Sequence, residues 1–249
     1  MTGKDMNISF VLPMFNEAEN IAETIARVGR FAGRISASYE IVVSDDASTD
    51  GSAGIVEGLA ANDARIKLVR LAKNSNFGGA LGAGLMAASK DIIVYTDSDL
   101  PAKEEDMEKA LELLDGADIV TAYSLVIKDA SLKRIVMSKG YNFLVQLLFG
   151  LALRDINSGL KIYRRKILEG MALKSRSPFM DVEIFVEALK RGARIKQYGL
   201  VFDLRTKGHS SISRLGVVAR TFRDMLAYRF SRPAPYLPEG KKRGEEGAG

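Results

Sequence analysis

The apolar run Ile92–Thr96 ends at two aspartates, Asp97 and Asp99, which are separated by one residue. A strand this apolar is typical of the centre of a buried sheet, and its carboxyl end reaches the rim where open α/β sheets bind ligands. Side chains at positions i and i+2 of an extended segment point the same way, so one ion could bridge both carboxylates. Oxygen ligands favour Mg²⁺ or Mn²⁺, which most often serve substrate phosphates. Taken alone, the pair also fits a solvated acidic turn.

The composition restricts which groups can carry chemistry. The chain of 249 residues contains no cysteine and a single histidine, His209. Disulfides, zinc–thiolate sites, thiol nucleophiles and multi-histidine metal centres are therefore excluded. A serine–histidine triad is a poor alternative because it would depend on that one histidine. Carboxylates must carry the chemistry.

Positive charge is concentrated near the end of the chain. Residues 190–232 contain eleven Lys and Arg against two Asp, a local charge of +9 in a chain whose net charge is +5. This asymmetry predicts that the C-terminal part faces anions, which could be phosphate groups, an acidic membrane surface or nucleic acid.

Short apolar runs alternate with amphipathic stretches through the first half of the chain, which predicts an α/β fold with a mostly parallel sheet and right-handed crossovers. After residue 124 the alternation gives way to a long amphipathic stretch at 131–151. The tail, 231–249, is rich in Pro, Gly, Lys and Glu and is predicted to be disordered. Strands are predicted at 8–12, 40–44, 66–71, 92–96, 119–123, 160–163 and 196–203. Helices are predicted at 18–31, 52–61, 80–89, 104–114 and 181–191, with helical spacing again from 215 to 229.

A dinucleotide-binding site is one alternative for such a pattern, because Gly82–Ala87 matches G-x-G-x-x-A. That fingerprint must follow the first strand and open a helix, whereas the first strand here leads into Met14–Glu17. Nicotinamide or flavin binding is therefore disfavoured. The glycines at 78–84 instead predict close packing or a close approach of backbone to a ligand.

Four polar segments follow the first four predicted strands, at 12–17, 45–51, 76–80 and 97–100. Each could be a turn or a helix cap on its own, but at the carboxyl ends of their strands all four can line one crevice. Together they resemble the family 2 glycosyltransferases of the GT-A fold. The resemblance implies a GT-A-like, mostly parallel sheet flanked by helices, an inverting transferase, a nucleotide-sugar donor and Mg²⁺ or Mn²⁺ as cofactor.

The same resemblance assigns roles to residues of these segments. Pro13, Phe15, Glu17 and Asp46 would surround the base and ribose of the nucleotide sugar. Asp97 and Asp99 would bind the cation on the diphosphate, and Ser98 between them would also contact the donor.

Motifs of the second half look like the dolichyl-phosphate mannosyltransferase and dolichyl-phosphate glucosyltransferase branch of that family. They are Arg134, Ser138, 141–143, 155–160, 163–165, 181–183 and 205–210. The resemblance implies a polyprenyl or dolichyl phosphate acceptor, with Arg134 and Ser138 at the acceptor phosphate. We further expect Asp99, Asp155 and Arg205 to be catalytic, Asp155 as base or orienting group and Arg205 as a second positive charge on the diphosphate.

The donor sugar stays open between GDP-mannose and UDP-glucose, because three positions depart from the branch. Pro101 stands where many mannosyltransferases carry a glutamine, Tyr123 where an arginine is usual, and Ser211 where a lysine is common.

We predict one glycosyltransferase domain, 1–230, with a nucleotide-sugar half at about 1–123 and an acceptor half at about 124–230.

The acceptor half is predicted to be amphipathic and to face a membrane. Its longest apolar stretch, Tyr141–Leu153, would span roughly 20 Å as a helix against about 30 Å of hydrocarbon, so we expect it to lie on a membrane rather than cross it. No export signal is recognisable at residues 1–13, and we expect a peripheral protein on the cytoplasmic face.

Two alternative functions remain: a soluble transferase acting on a saccharide or small phosphorylated acceptor, and a non-catalytic nucleic-acid binder. The second is disfavoured because no nucleic-acid-binding motif accompanies the basic stretch, and we expect no nucleic-acid partner.

Overall fold

The computed structural model of the protein describes residues 6–98, 100–125, 132–202 and 215–230. The strands of this part form one sheet with helices packed on its faces. In chain order the strands are β1 (Asn7–Met14), β2 (Ser38–Asp45), β3 (Ile66–Arg70), β4 (Ile92–Thr96), β5 (Ile119–Ser124), β6 (Leu160–Arg164) and β7 (Ile195–Leu200). The helices are α1 (Ile21–Ile35), α2 (Ser52–Asn62), α3 (Asn76–Ala87), α4 (Glu104–Glu112), α5 (Leu132–Phe149), α6 (Arg165–Leu168), α7 (Phe179–Lys190) and α8 (Leu215–Phe230).

The sheet is mostly parallel, as the alternation of strands and helices predicts. Its order is β3, β2, β1, β4, β6, β5, β7. The pairs β1 with β2, β1 with β4, β2 with β3 and β5 with β7 are parallel, whereas β6 runs antiparallel to both β4 and β5. Because β6 is reversed, the segment that leads into it lies at the edge where β4 ends.

Two layers of core cover the two faces of the sheet, because successive residues of a strand point to opposite sides. Phe10 joins the core beneath α1 and α4, and its neighbour Val11 joins the core beneath α3 and α7. The central strand β4 is buried along its whole length. This burial on both faces accounts for its unbroken apolar sequence.

Helix α3 lies very close to the sheet, and its glycines make this possible. A Cβ at Gly84 would lie 2.6 Å from Val11 Cγ1 and 2.8 Å from Ser44 Oγ, too close for any side chain. A Cβ at Gly78 would lie 2.7 Å from the backbone of Arg176. The predicted role of these glycines in close packing is therefore confirmed. The G-x-G-x-x-A match lies inside α3 rather than in a loop before it.

Helices α5, α7 and α8 meet through aromatic rings. Phe149 of α5 packs against Phe179 of α7 and Tyr228 of α8, with ring centroids 5.6 and 5.9 Å apart. No helix in the described part of the chain combines the length and apolarity that a membrane span requires. The predicted tail at 231–249 lies outside the described residues.

Candidate functional site

The polar segments after β1, β2, β3 and β4 lie at one edge of the sheet, because these strands are parallel and end together. Pro13 is near the end of β1, where the pairing of β1 with β4 has already stopped at Val11, so the missing N–H of proline breaks no bond to β4. Phe15 follows, with 46% of its surface exposed at the rim.

The loops after β1 and β2 are tied together by hydrogen bonds between backbone and side chain. The N–H of Asn16 donates to Ser48 Oγ at 2.9 Å, and the N–H of Thr49 donates to Asn16 Oδ1 at 2.8 Å. Asn16 and Ala47 both adopt positive φ, 57° and 61°. Non-glycine residues hold such conformations where surrounding contacts determine them, so this rim has a defined shape.

Glu17 is fixed on both its backbone and its side chain. Its N–H donates to Ser52 Oγ at 2.8 Å, and its carboxylate accepts a hydrogen bond from Asn20 Nδ2 at 2.8 Å. Asp50 accepts from the N–H of Ala18 at 3.0 Å. The start of α1 is thereby joined to the loop after β2.

Asp46 is buried where the loops after β2 and β3 meet. Its Oδ1 accepts a hydrogen bond from the N–H of Ser75 at 2.5 Å. Burial raises the pKa of Asp46, and the backbone N–H groups of Ser75 and Asn76 together with the Arg176 charge oppose that rise. One oxygen of the Asp46 carboxylate is thus hydrogen-bonded to the backbone at the start of α3.

Two arginines from the second half of the chain reach this same point. Arg176 Nη1 donates to Ser75 Oγ at 3.1 Å, and Arg220 of α8 donates to Asn76 Oδ1. Asp224 of α8 in turn accepts from the backbone N–H of Arg176 at 3.3 Å. The start of α3 is therefore connected directly to α8.

Asp97 and Ser98 lie at the end of β4, as predicted. The Tyr95 hydroxyl donates to Asp97 Oδ1 at 2.6 Å, and burial raises the pKa of Tyr95 well above its usual value, so the hydroxyl keeps its proton. The Ser98 carbonyl accepts from Thr24 Oγ1 at 2.6 Å. Asp99 lies outside the described residues, and its predicted metal and catalytic roles stay predictions.

Asp155 is brought to the same edge by the reversed strand. Because β6 is antiparallel to β4, with Leu160 opposite Thr96, the segment before β6 arrives beside the end of β4. The backbone N–H of Asp97 donates to the Gly159 carbonyl at 3.3 Å, which joins the two segments. Asp155 is half-buried there.

A fully buried ion pair lies behind these carboxylates. Lys161 Nζ is 3.1 Å from Asp181 Oδ2, and the two side chains are 0% and 1% exposed. Burial raises the pKa of Asp181 to about 6, the Lys161 ammonium opposes the rise, and the charges of Asp97 and Asp155 add to it. Asp97 and Asp155 are therefore both close enough to influence the buried Asp181 carboxylate.

The residues assigned to the acceptor phosphate both belong to α5. Arg134 and Ser138 are four positions apart, which places them on one side of the helix. Ser138 is exposed, and the Arg134 side chain lies outside the described part of the structure. Arg205 also lies outside the described residues.

The surroundings of Asp97 fit a hard divalent cation. The donor is a carboxylate at a strand end, half-buried and oriented by a hydroxyl, and oxygen donors of this kind suit Mg²⁺ or Mn²⁺. Among the described residues no group of three or more His, Cys, Asp or Glu side chains forms a complete metal site. A cation here would need ligands from Asp99 or from the diphosphate of the donor.

Sequence reasoning missed Tyr95, Lys161, Arg176 and Arg220. Tyr95 could have been found, because it precedes Asp97 by two positions and so shares its side of the strand. The other three depend on tertiary contacts with residues distant in the chain, and no local pattern encodes those.

The family follows from comparison with known proteins. The model of glycosyl transferase family 2 matches residues 9–171, which include β1 to β4 and the segment before β6. The chain belongs to glycosyl transferase family 2. The predicted family resemblance is thus confirmed, and the protein is a family 2 glycosyltransferase.

Two relatives are each 30% identical to this chain over the aligned residues. Glycosyltransferase AglD of Haloferax volcanii is 30% identical over 220 residues, which are 85% of this chain and 35% of that protein. The undecaprenyl-phosphate 4-deoxy-4-formamido-L-arabinose transferase of Pseudomonas fluorescens is 30% identical over 219 residues, 80% of this chain and 64% of that protein. The chain therefore spans about a third of the first relative and just under two thirds of the second.

Solved structures establish the GT-A fold. Glucosyl-3-phosphoglycerate synthase of Mycobacterium tuberculosis, in complex with Mn²⁺, UDP-glucose and phosphoglyceric acid, superposes with a TM-score of 0.68 at 19% identity over 90% of this chain and 79% of that chain. Mannosyltransferase PcManGT of Pyrobaculum calidifontis, in complex with GDP-mannose and Mn²⁺, gives a TM-score of 0.64 at 19% identity over 89% of this chain and 64% of that one. The GT-A-like sheet expected from the four segments is confirmed.

Proposed function

We propose that the protein transfers a hexose from a nucleotide sugar, GDP-mannose or UDP-glucose, to a polyprenyl or dolichyl phosphate, with Mg²⁺ or Mn²⁺ on the diphosphate. The observation that carries the donor side is the meeting of the segments after β1, β2 and β4 with Asp155 at one sheet edge. The acceptor side is supported by the relative that acts on undecaprenyl phosphate.

The donor's parts correspond to different residues of this edge. The rim formed by Pro13, Phe15 and Glu17 together with Asp46 would hold the base and ribose. Asp97, Ser98 and Asp99 would lie at the diphosphate. A divalent cation there supplies charge stabilisation to the leaving diphosphate, and Arg205 would add a second positive charge.

The acceptor is a nucleophile that needs little activation. A phosphate monoester has a second pKa of about 6, so it is largely a dianion near neutral pH. One of its oxygens attacks the anomeric carbon, a new carbon–oxygen bond forms with inversion, and the bonding electron pair to the diphosphate leaves with the nucleoside diphosphate. No proton has to be removed, so Asp155 would orient the acceptor, while Arg134 and Ser138 would bind its phosphate.

Exposed apolar side chains on two helices support action at a membrane surface. On α5, Phe143 and Leu147 are 66% and 68% exposed and lie one turn apart. On α8, Phe222, Leu226 and Phe230 are exposed at the same spacing. We call these five residues the apolar stripes. Side chains of this size are normally buried, and at an interface they would insert among lipid headgroups.

Basic residues flank the apolar stripes. Arg223 and Arg229 of α8 are exposed, as is Lys139 of α5. Anionic lipid of the cytoplasmic leaflet attracts such residues, each contributing about 1 kcal/mol near the surface. We therefore propose a peripheral location on the cytoplasmic face.

A second candidate is transfer to a small soluble phosphate ester. Structural neighbours include a synthase solved with phosphoglyceric acid, although their likeness to this chain is one of fold. Both candidate acceptors present a phosphate group to the sugar. They differ in whether an apolar chain anchors that phosphate to a surface.

The test is a matrix of two donors and two acceptors. The protein is incubated with Mn²⁺, GDP-mannose or UDP-glucose, and either polyprenyl phosphate in phosphatidylglycerol vesicles or 3-phosphoglycerate in solution, and products are identified by mass spectrometry. We expect a hexosylated polyprenyl phosphate with one donor. A hexosylated 3-phosphoglycerate with no lipid product would establish the second candidate instead.

A further inference from the structure

The Asp97 carboxylate is confined from two sides. On one side the Tyr95 hydroxyl donates to Oδ1 at 2.6 Å. On the other side lies Gly159, where an added Cβ would be 2.5 Å from Asp97 Oδ2 and 3.2 Å from Cγ. The hydrogen bond from Tyr95 and the absence of a side chain at residue 159 therefore both favour this orientation of the carboxylate.

Tyr95 is itself held in place. Its ring is buried, and the ring of Phe77 packs edge-on against it with centroids 6.1 Å apart. Lys161 is its cross-strand partner in the β4–β6 register, and Lys161 Nζ lies 5.0 Å from the ring centroid. Its ammonium also donates to the Ser158 carbonyl at 2.6 Å.

These contacts form a continuous support behind the end of β4. Asp181 fixes Lys161, Lys161 lies over the Tyr95 ring, and the Tyr95 hydroxyl contacts Asp97. Hydrogen bonds to a charged group are stronger and more directional than those between neutral groups. A metal-binding carboxylate usually has such a partner, and losing that partner typically weakens metal affinity or activity about 10- to 100-fold.

We infer that Tyr95 is a positioning residue for cation binding: its hydroxyl holds the Asp97 carboxylate in the orientation that receives the cation of the donor complex, and Gly159 leaves the space this orientation needs. The inference rests on the proposed function, because it assumes that Asp97 binds the cation.

Tyr163 provides a matched control. It is also a buried tyrosine, lies on the neighbouring strand β6, and has a hydroxyl with no hydrogen-bond partner among the described residues. Tyr95→Phe and Tyr163→Phe each remove one buried hydroxyl and keep the ring. They differ in whether that hydroxyl contacts Asp97.

The experiment measures Mn²⁺ binding by the loss of the free Mn²⁺ signal in electron paramagnetic resonance, with GDP and with UDP. We expect Tyr95→Phe to weaken Mn²⁺ binding about tenfold, while Tyr163→Phe stays within about twofold of the wild type. Excess Mn²⁺ should also restore most of the turnover of Tyr95→Phe. Thermal unfolding of each variant reports whether the fold is intact.

A second pair of variants tests the other side of the carboxylate. Gly159→Ala places a methyl group against Asp97 and should weaken Mn²⁺ binding at least tenfold. Gly54→Ala in α2 adds a methyl group where nothing lies within 4 Å and should leave binding unchanged. This pair decides the question if Tyr95→Phe does not fold.

The outcomes separate the inference from the proposed function. If the wild type binds Mn²⁺ and a folded Tyr95→Phe binds it equally well or more tightly, the inference is wrong and the proposed function stands. If Tyr95→Phe does not fold, equal or tighter binding by Gly159→Ala overturns the inference in the same way. If the wild type binds no Mn²⁺ with either nucleotide, the metal-dependent function and the inference are both wrong.

Discussion

The edge of the sheet where β1, β2 and β4 end, which we call the polar edge, and the outer faces of α5 and α8 differ in how their side chains are held. At the polar edge, Asn16 donates a hydrogen bond to a residue of another loop, Asp46 accepts one from a residue of another loop, and Asp97 accepts a hydrogen bond from Tyr95 of β4. On α5 and α8, side chains as large as Phe143 and Phe230 extend into solvent. A preformed polar site binds a small ligand with little reorganisation, whereas exposed apolar side chains gain free energy only against a second apolar surface.

The two regions are nevertheless connected. Arg220 and Asp224 of α8 contact Asn76 and the backbone of Arg176, which lie beside Asp46. Helix α8 therefore presents apolar residues outward and polar residues toward the polar edge. The comparison predicts that variants of the preformed edge impair chemistry or folding, while variants of the outer faces impair delivery of the acceptor.

The largest effect is expected for Asp97→Asn. The amide keeps the shape of the carboxylate and removes its charge, so the predicted cation loses a ligand, and a loss of at least about 1,000-fold in kcat/KM is expected. Asp91→Asn, at the opposite end of β4, is the control and should retain activity, because Asp91 is exposed and contacts Asn7 there. Wild-type turnover by Asp97→Asn, or full activity of the wild type in EDTA, would contradict the role of the metal.

Lys161→Met should destabilise the fold by about 3–5 kcal/mol, because it leaves Asp181 as an unpaired buried charge. Chemical denaturation measures this loss. The double variant Lys161→Met with Asp181→Leu should recover most of the stability, since no buried charge remains. If Lys161→Met is as stable as the wild type, the Lys161–Asp181 ion pair does not stabilise the packing of α7 on β6.

The pH dependence of the free energy of unfolding tests the contribution of Glu40, which lies in β2. Burial alone would raise the pKa of Glu40, but the Lys67 ammonium and hydrogen bonds from Ser9 and Ser89 lower it from 4.5 to about 2. Because the folded pKa is below the unfolded one, the carboxylate stabilises the fold above about pH 4.5, and this stabilisation, up to about 3 kcal/mol, is lost as the pH falls toward 2.

Glu40→Gln removes this dependence. Denaturation at a series of pH values should show the wild type more stable than the variant near pH 7, with the difference shrinking below pH 4.5. The control is Glu57→Gln, an exposed partner of Arg70, which should change stability by less than about 1 kcal/mol. A difference that stays constant with pH would contradict the assignment.

The smallest effect is expected at the apolar stripes. Replacing Phe143 and Leu147 together by Ser should weaken co-sedimentation with phosphatidylglycerol vesicles about tenfold, because less apolar surface is buried on binding. The fold should survive, since both residues are exposed. Met86→Ser on α3, where the side chain is 72% exposed, is the matched control and should bind like the wild type. Equal vesicle binding by the wild type and both variants would show that α5 does not contact the membrane.

Local sequence patterns predicted the strands at the centre of the sheet well. β4 has the predicted bounds, and β1 and β2 each extend theirs by three residues in total, because burial on both faces gives a strong apolar signal. The predicted start of α3 at residue 80 is wrong: the helix begins at Asn76. Its first glycines are compatible with a helix because the Arg176 backbone packs against Gly78.

Other features could not be read from the sequence. The apolar pattern of β6 does not encode its direction, and that direction is what brings Asp155 to the site. Lys161 sits in an apolar strand where alternation suggests solvent exposure, yet it is buried because Asp181 of α7 pairs with it. Asp99 and Arg205 lie outside the described residues, and their roles stay predictions.

Surface dilution distinguishes an acceptor that is held in a membrane surface from one that is free in solution. Polyprenyl phosphate is kept at one bulk concentration while inert phosphatidylglycerol lowers its mole fraction in the vesicles, and the initial rate of hexosyl-lipid formation is measured. If the enzyme acts on an acceptor held in the membrane, the rate should fall with the mole fraction of acceptor. A rate that depends on bulk concentration alone, or no hexosyl-lipid with any donor, would contradict it.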